Sequence, residues 1–99
     1  MQTTDFGWAI RRLKEGKMVA REGWNGKGMW IALTPGSTIS NDLARSGATK
    51  ALAQQRPGDI DILGHIDMKS ADGKIVVGWL ASQTDMLAED WMEVSDVAR

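Results

Sequence analysis

The sequence predicts an α+β fold, in which an antiparallel β-sheet carries an N-terminal helix on one face and a short second helix precedes the last strand. Three observations predict it. Apolar residues recur at helical spacing near the N-terminus, apolar and polar residues alternate over 60–69, and Asp72-Gly73 is a two-residue hairpin signal. With 99 residues, 42% of them hydrophobic, the chain has the length and composition of a single globular domain over 1–99.

The first helix is predicted from its apolar stripe. Four apolar residues follow the spacing i, i+3, i+4, i+7: Phe6, Ala9, Ile10 and Leu13. Thr4 or Asp5 can cap its N-terminus, and Gly16 ends it in a left-handed conformation. Trp8 lies off the stripe, which makes it a candidate for contact with another part of the fold or another subunit.

Two strands are predicted next, at 18–22 and 29–33, on either side of a glycine-rich turn. Asn25-Gly26 at the centre of that turn is a strong turn signal. A long polar excursion then covers 38–59, with short helical turns expected at 41–45 and 48–55.

Regular structure is predicted to resume with a strand over 60–69 and a hairpin into 74–79. A short helix is expected at about 86–90, followed by an edge strand at Trp91–Val94. Ser82 and Asp85 have the spacing of a capping box, although Thr84 or Asp85 could equally be the cap.

Composition excludes most catalytic and metal chemistry. The chain has no cysteine and one histidine, His65, so thiolate nucleophiles, disulfides and cysteine metal sites are absent. Asp59, Asp61 and Asp67 lack the spacing of a calcium loop and are interpreted as a solvated face. We expect no catalytic residue, metal or cofactor; Glu89 and the adjacent Asp90 point in different directions and make no acid–base pair.

Net charge and hydropathy restrict the partners. A net charge of −1 argues against a broad electrostatic surface for duplex nucleic acid or anionic membrane. No apolar stretch approaches the ~20 residues that span a bilayer, and no signal-peptide core is present at the N-terminus. The expected location is therefore the cytoplasm.

Two segments have the chemistry of a nucleotide pocket, 24–28 and 79–85. Trp24 and Trp79 offer faces on which a purine can stack, at about 1–3 kcal/mol per base. Asn25 and Gln83 carry amides that pair with base edges. Five of the six aromatic residues are Trp, too many for the centre of one small core, so some are expected to line a pocket or an interface.

Phosphate and ribose recognition are assigned to the remaining polar groups. Backbone N–H groups in the glycine-rich turn, including Gly26, or at the start of the short helix can hold phosphate oxygens. Lys27 and Arg21 can neutralise that phosphate, and Asp85 can accept from ribose hydroxyls or an exocyclic amine. The candidate ligand-binding residues are therefore Arg21, Trp24, Asn25, Gly26, Lys27, Trp79, Ala81, Ser82, Gln83, Thr84 and Asp85. Both segments also have an ordinary interpretation, as a hairpin turn and a helix start.

Three segments together resemble a known family, the Thoeris anti-defence proteins of the second type, which are small phage and prophage proteins. The segments are 5–10 (DFGWAI), 19–29 (VAREGWNGKGM) and 79–91 (WLASQTDMLAEDW). The residues of the hairpin at 68–74 match as well, so the resemblance covers 5–34 and 60–94.

The resemblance implies a sponge, a protein that binds cyclic nucleotide immune signals and holds them without cleavage, so that the phage evades bacterial defence. The implied ligands are cyclic ADP-ribose isomers and, for some members, cyclic di- or trinucleotides. It also implies a homotetramer with pockets between subunits, to which Trp24, Asn25 and their neighbours, Trp79, and residues 81–85 contribute.

Three other functions stay open on the residues alone. The Trp residues can serve a single-stranded nucleic-acid-binding module, although such grooves are normally basic. An enzyme such as a phosphodiesterase would have only scattered carboxylates to work with. A phage structural or interaction protein would use the exposed Trp residues for assembly.

Overall fold

The computed structural model describes residues 4–24 and 27–95, which form three α-helices, one 3-10 helix and seven strands. In chain order the elements are α1 Phe6–Lys14, β1 Met18–Arg21, β2 Trp30–Thr34, β3 Ser37–Ile39, a 3-10 helix Asn41–Leu43, α2 Gly47–Gln55, β4 Ile60–Ile62, β5 His65–Lys69, β6 Ile75–Val76, α3 Gln83–Leu87 and β7 Trp91–Val94.

The chain divides into two compact units, one running to Thr34 and resuming at His65, the other Pro35–Gly64. That the whole chain acts as one domain stays a prediction.

The first unit is an antiparallel sheet of five strands in the order β6-β5-β2-β1-β7. Its central pairing, β2 with β5, places Trp30 opposite Lys69 and Thr34 opposite His65. At one edge, β7 pairs with β1 over four residues, from Met18 opposite Val94 to Arg21 opposite Trp91. The α+β fold, the antiparallel sheet and the edge position of the last strand are confirmed.

Helix α1 begins and ends as its sequence predicts. The Asp5 carboxylate caps it by accepting from the Trp8 backbone N–H at 2.9 Å, which selects Asp5 over Thr4 as the cap. Gly16 follows with φ of 87°. Trp8 packs on the edge of the core of the same unit, where the Arg12 guanidinium lies 5.5 Å from the centre of its ring.

The core of the first unit lies between α1 and the sheet. Its fully buried members are Ala9, Leu13, Val19, Ile31 and Trp91, each at most 1% exposed. The apolar stripe of α1 therefore supplies two core residues, and the short strands supply the other three. Burying a side chain as large as that of Trp91 contributes several kcal/mol and so helps to stabilise this small sheet.

The second unit, Pro35–Gly64, contains the β3–β4 pair, the 3-10 helix and α2. Thr38 Oγ1 donates to Asp61 Oδ1 across the strand pair at 2.7 Å, and the Asn41 amide donates to the carbonyls of Arg56 and Gly58 at 3.1 and 3.2 Å. The two helical turns expected in the polar excursion are present. The start of the excursion, however, belongs to strand β3, which pairs with β4 just beyond its end.

Three expected boundaries were wrong. The strand expected over 60–69 is two strands in different sheets, β4 and β5, which the alternation could not reveal because both keep the same period of two. Strand β6 ends at Val76, since the following chain turns at Gly78 with φ of 86°. Helix α3 begins at Gln83 instead of 86, because its capping box sits at Ser82.

Candidate functional site

The structure brings the two predicted segments together in the first unit. Arg21 ends β1 and Trp24 follows in the next turn, while Trp79 precedes the α3 segment. Ala81 and Ser82 lead into α3, and Gln83, Thr84 and Asp85 form its first turn. Lys27, Gln83 and Thr84 are exposed and Ala81 is half-buried. Asn25 and Gly26, predicted to bind a base and a phosphate, lie outside the described residues.

Four rings form an aromatic cluster, Phe6, Trp24, Trp79 and Trp91. Trp24 and Trp79 have ring centroids 6.3 Å apart at 64°, and each also meets Trp91 edge-on, at 5.4 and 6.2 Å. These are favourable edge-to-face geometries. Trp91 is fully buried, whereas Trp24 and Trp79 are half-buried. Trp91 therefore forms the buried floor of the cluster, and the neighbouring indoles of Trp24 and Trp79 are partly exposed.

Asp85 organises the Trp24 side of the cluster. Its Oδ1 accepts from the Trp24 indole N–H at 3.1 Å and from Arg21 Nη1 at 3.0 Å. Its Oδ2 accepts from the Ser82 backbone N–H at 3.2 Å, and the Asp85 N–H donates to Ser82 Oγ at 3.0 Å, which completes the predicted capping box. The carboxylate, predicted to face a ligand, is thus occupied by three internal donors.

Arg21 is similarly engaged. Besides Asp85, its Nε donates to Asp90 Oδ1 at 2.9 Å, and only 15% of its side chain is exposed. Asp90 Oδ2 accepts from the Gly23 N–H at 2.8 Å, so one carboxylate fixes both Arg21 and the turn that carries Trp24. A Cβ at Gly23 would lie 2.8 Å from the same oxygen, closer than a side chain tolerates.

The electrostatics follow from these contacts. Burial alone raises the pKa of Asp85, but hydrogen bonds from Trp24, Arg21 and Ser82 outweigh it and hold that pKa below its ordinary value. The Arg21 hydrogen bond lowers the pKa of Asp90, and its two carboxylate partners raise the pKa of Arg21. At neutral pH the network is therefore fully ionised, with one guanidinium between two carboxylates.

The Trp79 side is held through the backbone. The Trp79 N–H donates to the Ile66 carbonyl at 2.7 Å, and the Gly78 N–H donates to Asp67 Oδ1 at 2.8 Å. Asp67 also accepts from Thr34 Oγ1, and its side chain is only 13% exposed. Its interpretation as part of a solvated face was wrong, because alternation along a strand does not show which loop returns over that face.

Two further positioning contacts had no clear signal in the sequence. Lys69 Nζ donates to the Gly28 carbonyl at 2.8 Å and ties the end of the glycine-rich turn to β5. Asp90 reaches Arg21 across 69 residues of chain. Neither pair has a recognisable spacing, so no local pattern could have identified them.

The described residues were also compared with the requirements of a metal site, a cavity and a membrane span. In residues 4–24 and 27–95, no group of three or more histidine or acidic side chains is placed to hold a metal ion. A cavity of about 490 Å³ lies at the far end of β1, lined by Gly16, Lys17, Met18, Glu93, Val94 and Ser95, none of which is a predicted site residue. Within the described chain, no helix is both long and apolar enough to cross a bilayer.

Comparison with known proteins gives the family. Residues 4–94 match the Tad2-like family, described as the Thoeris anti-defense 2-like domain, so the match includes both Trp-bearing segments. A protein of Bacillus phage SP01 named Thoeris anti-defense 2 is 41% identical over 90 residues, which cover 91% of this chain and 93% of that protein. The chain therefore belongs to the Thoeris anti-defense 2-like family.

Proposed function

We propose that this protein binds a small cyclic nucleotide immune signal and sequesters it without cleavage, so that a phage evades Thoeris defence. The expected ligands are cyclic ADP-ribose isomers and, as a second class, cyclic di- or trinucleotides. Family membership supports the anti-defence role. The geometry of the site supports the mechanism.

One observation carries the proposal, the pair of half-buried indoles Trp24 and Trp79 beside an ionised, internally satisfied carboxylate. Two aromatic surfaces set at 64° suit a bent ligand whose purine stacks on one indole while a ribose or a second base lies against the other. Because Asp85 fixes the Trp24 ring before any ligand arrives, little side-chain entropy is lost on binding, which favours tight capture.

The remaining polar residues supply recognition at the rim. Lys27 is exposed and available to a phosphate, and Gln83 and Thr84 are exposed on the first turn of α3, with Ser82 and Ala81 beside them. Asn25 and Gly26 belong to the same proposed site. We assign Arg21 and Asp85 to it chiefly as positioning residues, since most of their polar atoms already have partners.

The ligand is proposed to be held in a homotetramer with pockets between subunits, in the host cytoplasm. Exposed apolar side chains near Trp79 support a protein contact there. Ile75, Val76, Val77 and Leu80 are 56%, 52%, 73% and 92% exposed, an unusual density for a six-residue stretch of surface. A subunit packed on this stretch would close the site and exclude water from the indoles.

Sequestration requires no catalytic group. The ionised groups in the site, Arg21, Asp85 and Asp90, are committed to one another, which disfavours a general acid–base role. Tight binding is what the function needs, about 12 kcal/mol for a nanomolar site. Stacking at about 1–3 kcal/mol per base and charge-assisted phosphate contacts contribute part of that free energy.

Calorimetric titration with cyclic ADP-ribose isomers, then with cyclic di- and trinucleotides, tests the proposal. The complex is then heat-denatured, and the mass of the released compound is measured by mass spectrometry. We expect saturable tight binding of at least one compound and its recovery at unchanged mass. A linear product of altered mass would contradict sequestration and indicate an enzyme.

The same experiment distinguishes the other functions. Affinity that grows with oligonucleotide length and falls steeply with salt would replace the proposal with single-stranded nucleic-acid binding. A well-formed oligomer that binds none of the compounds would favour a structural or interaction role. Oligomeric mass, measured by light scattering on the same sample, tests the tetramer separately.

A further inference from the structure

We propose that Asp67 is a positioning residue that sets the place and orientation of Trp79 in the ligand site. The proposal rests on the function proposed above, but its structural half can be tested without any ligand. It assigns a role to a carboxylate that touches neither the aromatic cluster nor the proposed rim.

The two Asp67 oxygens connect two different parts of the first unit. Oδ1 accepts from the Gly78 backbone N–H at 2.8 Å, and Oδ2 accepts from the Thr34 hydroxyl on the neighbouring strand β2. His65 Nε2 lies 3.4 Å from Oδ2 on the same strand as Asp67. The Thr34 hydrogen bond lowers the pKa of Asp67, which therefore remains a strong, ionised acceptor at neutral pH.

Gly78 and Trp79 are anchored as a consecutive pair. The Gly78 N–H binds the side chain of Asp67, and the Trp79 N–H binds the carbonyl of Ile66 at 2.7 Å. Gly78 has φ of 86°, a conformation that favours glycine and lets the chain leave β6 and fold back over β5. Of these two anchors, only the one made by Asp67 can be removed by a side-chain substitution.

Packing around the Trp79 backbone is sparse. Val77 and Leu80, on either side of the Gly78-Trp79 pair, are 73% and 92% exposed. The indole lies at the edge of the core and meets the rings of Trp24 and Trp91 edge-on and that of Phe6 tilted, with centroid separations above 6 Å. Since within one subunit neither flank is held by a core contact, the two amide hydrogen bonds set the path of the backbone there and with it the direction of the ring.

Three variants test the proposal: Asp67→Ala, Asp67→Asn and Thr34→Val. Asp67→Ala removes the acceptor for Gly78, whereas Asp67→Asn keeps an amide oxygen in the same place. Thr34→Val removes the other hydrogen bond of Asp67 and is the matched control. Near-ultraviolet circular dichroism of the free protein reports the tryptophan cluster, and titration with cyclic ADP-ribose isomers reports the site.

We expect Asp67→Ala to change the tryptophan bands and to weaken binding about tenfold, the effect of one well-placed hydrogen bond. Asp67→Asn and Thr34→Val should resemble the unmodified protein in both readouts. An unchanged spectrum and affinity in Asp67→Ala would overturn the proposal. An affinity loss in Thr34→Val equal to that of Asp67→Ala would also overturn it.

The test also gives an answer if Asp67→Ala fails to fold or if the unmodified protein binds no compound. If Asp67→Ala does not fold, Asp67→Asn decides: normal spectrum and affinity support the proposal, and loss of either overturns it. If the unmodified protein binds no compound tested, the proposed function fails, while the circular dichroism comparison alone still decides whether Asp67 orients Trp79.

Discussion

Trp24 and Trp79 meet in one cluster but are held there by different physics. Trp24 depends on charge, since its indole N–H binds Asp85 and its turn is fixed by Asp90, both paired with Arg21. Trp79 depends on two backbone amides anchored on Ile66 and Asp67, and its ring packs against Trp24, Trp91 and the core. The side chains of the first network are mostly buried, whereas both flanks of Trp79 are exposed.

Because of this difference, the Arg21 network should govern the stability of the first unit, and the Trp79 anchor should govern the position of one ring. Because the Arg21 network joins β1, α3 and the residue that precedes β7, damage to it should reduce the free energy of unfolding of the whole first unit. Damage at the Trp79 anchor should change one ring and leave the core intact. Variants at and around the Arg21 network test the first half of this contrast, from the largest expected effect to the smallest.

Asp85→Ala should be the most damaging single change. It leaves the Trp24 indole N–H without its acceptor, removes one of two carboxylates from a partly buried Arg21, and abolishes the α3 capping box. We expect a loss of about 3 kcal/mol in the free energy of unfolding, measured by urea denaturation. The exposed Glu89→Ala is the control and should change it by less than about 0.5 kcal/mol. Equal losses in the two variants would show that the hydrogen bonds of Asp85 do not stabilise the first unit.

Arg21→Lys should lower the free energy of unfolding by about 1–2 kcal/mol, although the substitution keeps the positive charge. The guanidinium binds Asp90 through Nε and Asp85 through Nη1, a divergent arrangement that a single ammonium cannot reproduce. Arg11→Lys, at an exposed position of α1, is the matched control and should be close to neutral. Urea denaturation of both variants checks the prediction, and a neutral Arg21→Lys would show that net charge alone matters.

Two glycines should respond with opposite signs. At Gly23 an added Cβ would lie 2.8 Å from Asp90 Oδ2, so Gly23→Ala should displace that carboxylate and cost about 1 kcal/mol. At Gly7, within α1, a Cβ would meet its nearest atoms at 3.5 Å or more. Gly7→Ala should therefore raise the free energy of unfolding by about 0.5–1 kcal/mol. Thermal unfolding of both variants is the measurement. A stabilising Gly23→Ala would mean that Asp90 does not clamp this turn.

The pH dependence of stability should be the smallest effect. Since folding lowers the pKa of Asp90, its contribution is present above the unfolded pKa of about 3.9 and is lost as pH falls through the lower folded value. Asp90→Asn should therefore be less stable than the unmodified protein at pH 7, and the difference, under about 1 kcal/mol, should shrink between pH 5 and pH 2. Asp42→Asn, an exposed change in the other unit, is the control. A constant difference for Asp90→Asn across this range would contradict the account.

Local patterns predicted most of the first unit. The spacing of Phe6, Ala9 and Leu13 placed α1, and Asp72-Gly73 placed the hairpin, in which Gly73 has φ of 87°. The spacing from Ser82 to Asp85 predicted the capping box. Each of these features depends on residues within one or two turns of chain, which is why a sequence can show it.

The features that sequence could not supply are long-range. The break between β4 and β5 is invisible because both strands alternate with the same period. The Arg21–Asp90 pair joins residues 69 positions apart, and the Asp67–Gly78 contact depends on how a loop returns over the sheet. For the same reason the sequence does not show that the Asp85 carboxylate accepts from Trp24 and Arg21, and its predicted role toward a ribose or an exocyclic amine stays a prediction.

The most direct test of the central claim is titration of the unmodified protein, Trp79→Ala and Trp30→Ala with cyclic ADP-ribose isomers. Trp30 is also half-buried in the first unit but lies outside the aromatic cluster, so it controls for the loss of an indole. We predict that Trp79→Ala loses capture of a compound bound by the unmodified protein, while Trp30→Ala retains it. Full affinity in Trp79→Ala would show that the cluster serves packing and that the ligand site lies elsewhere.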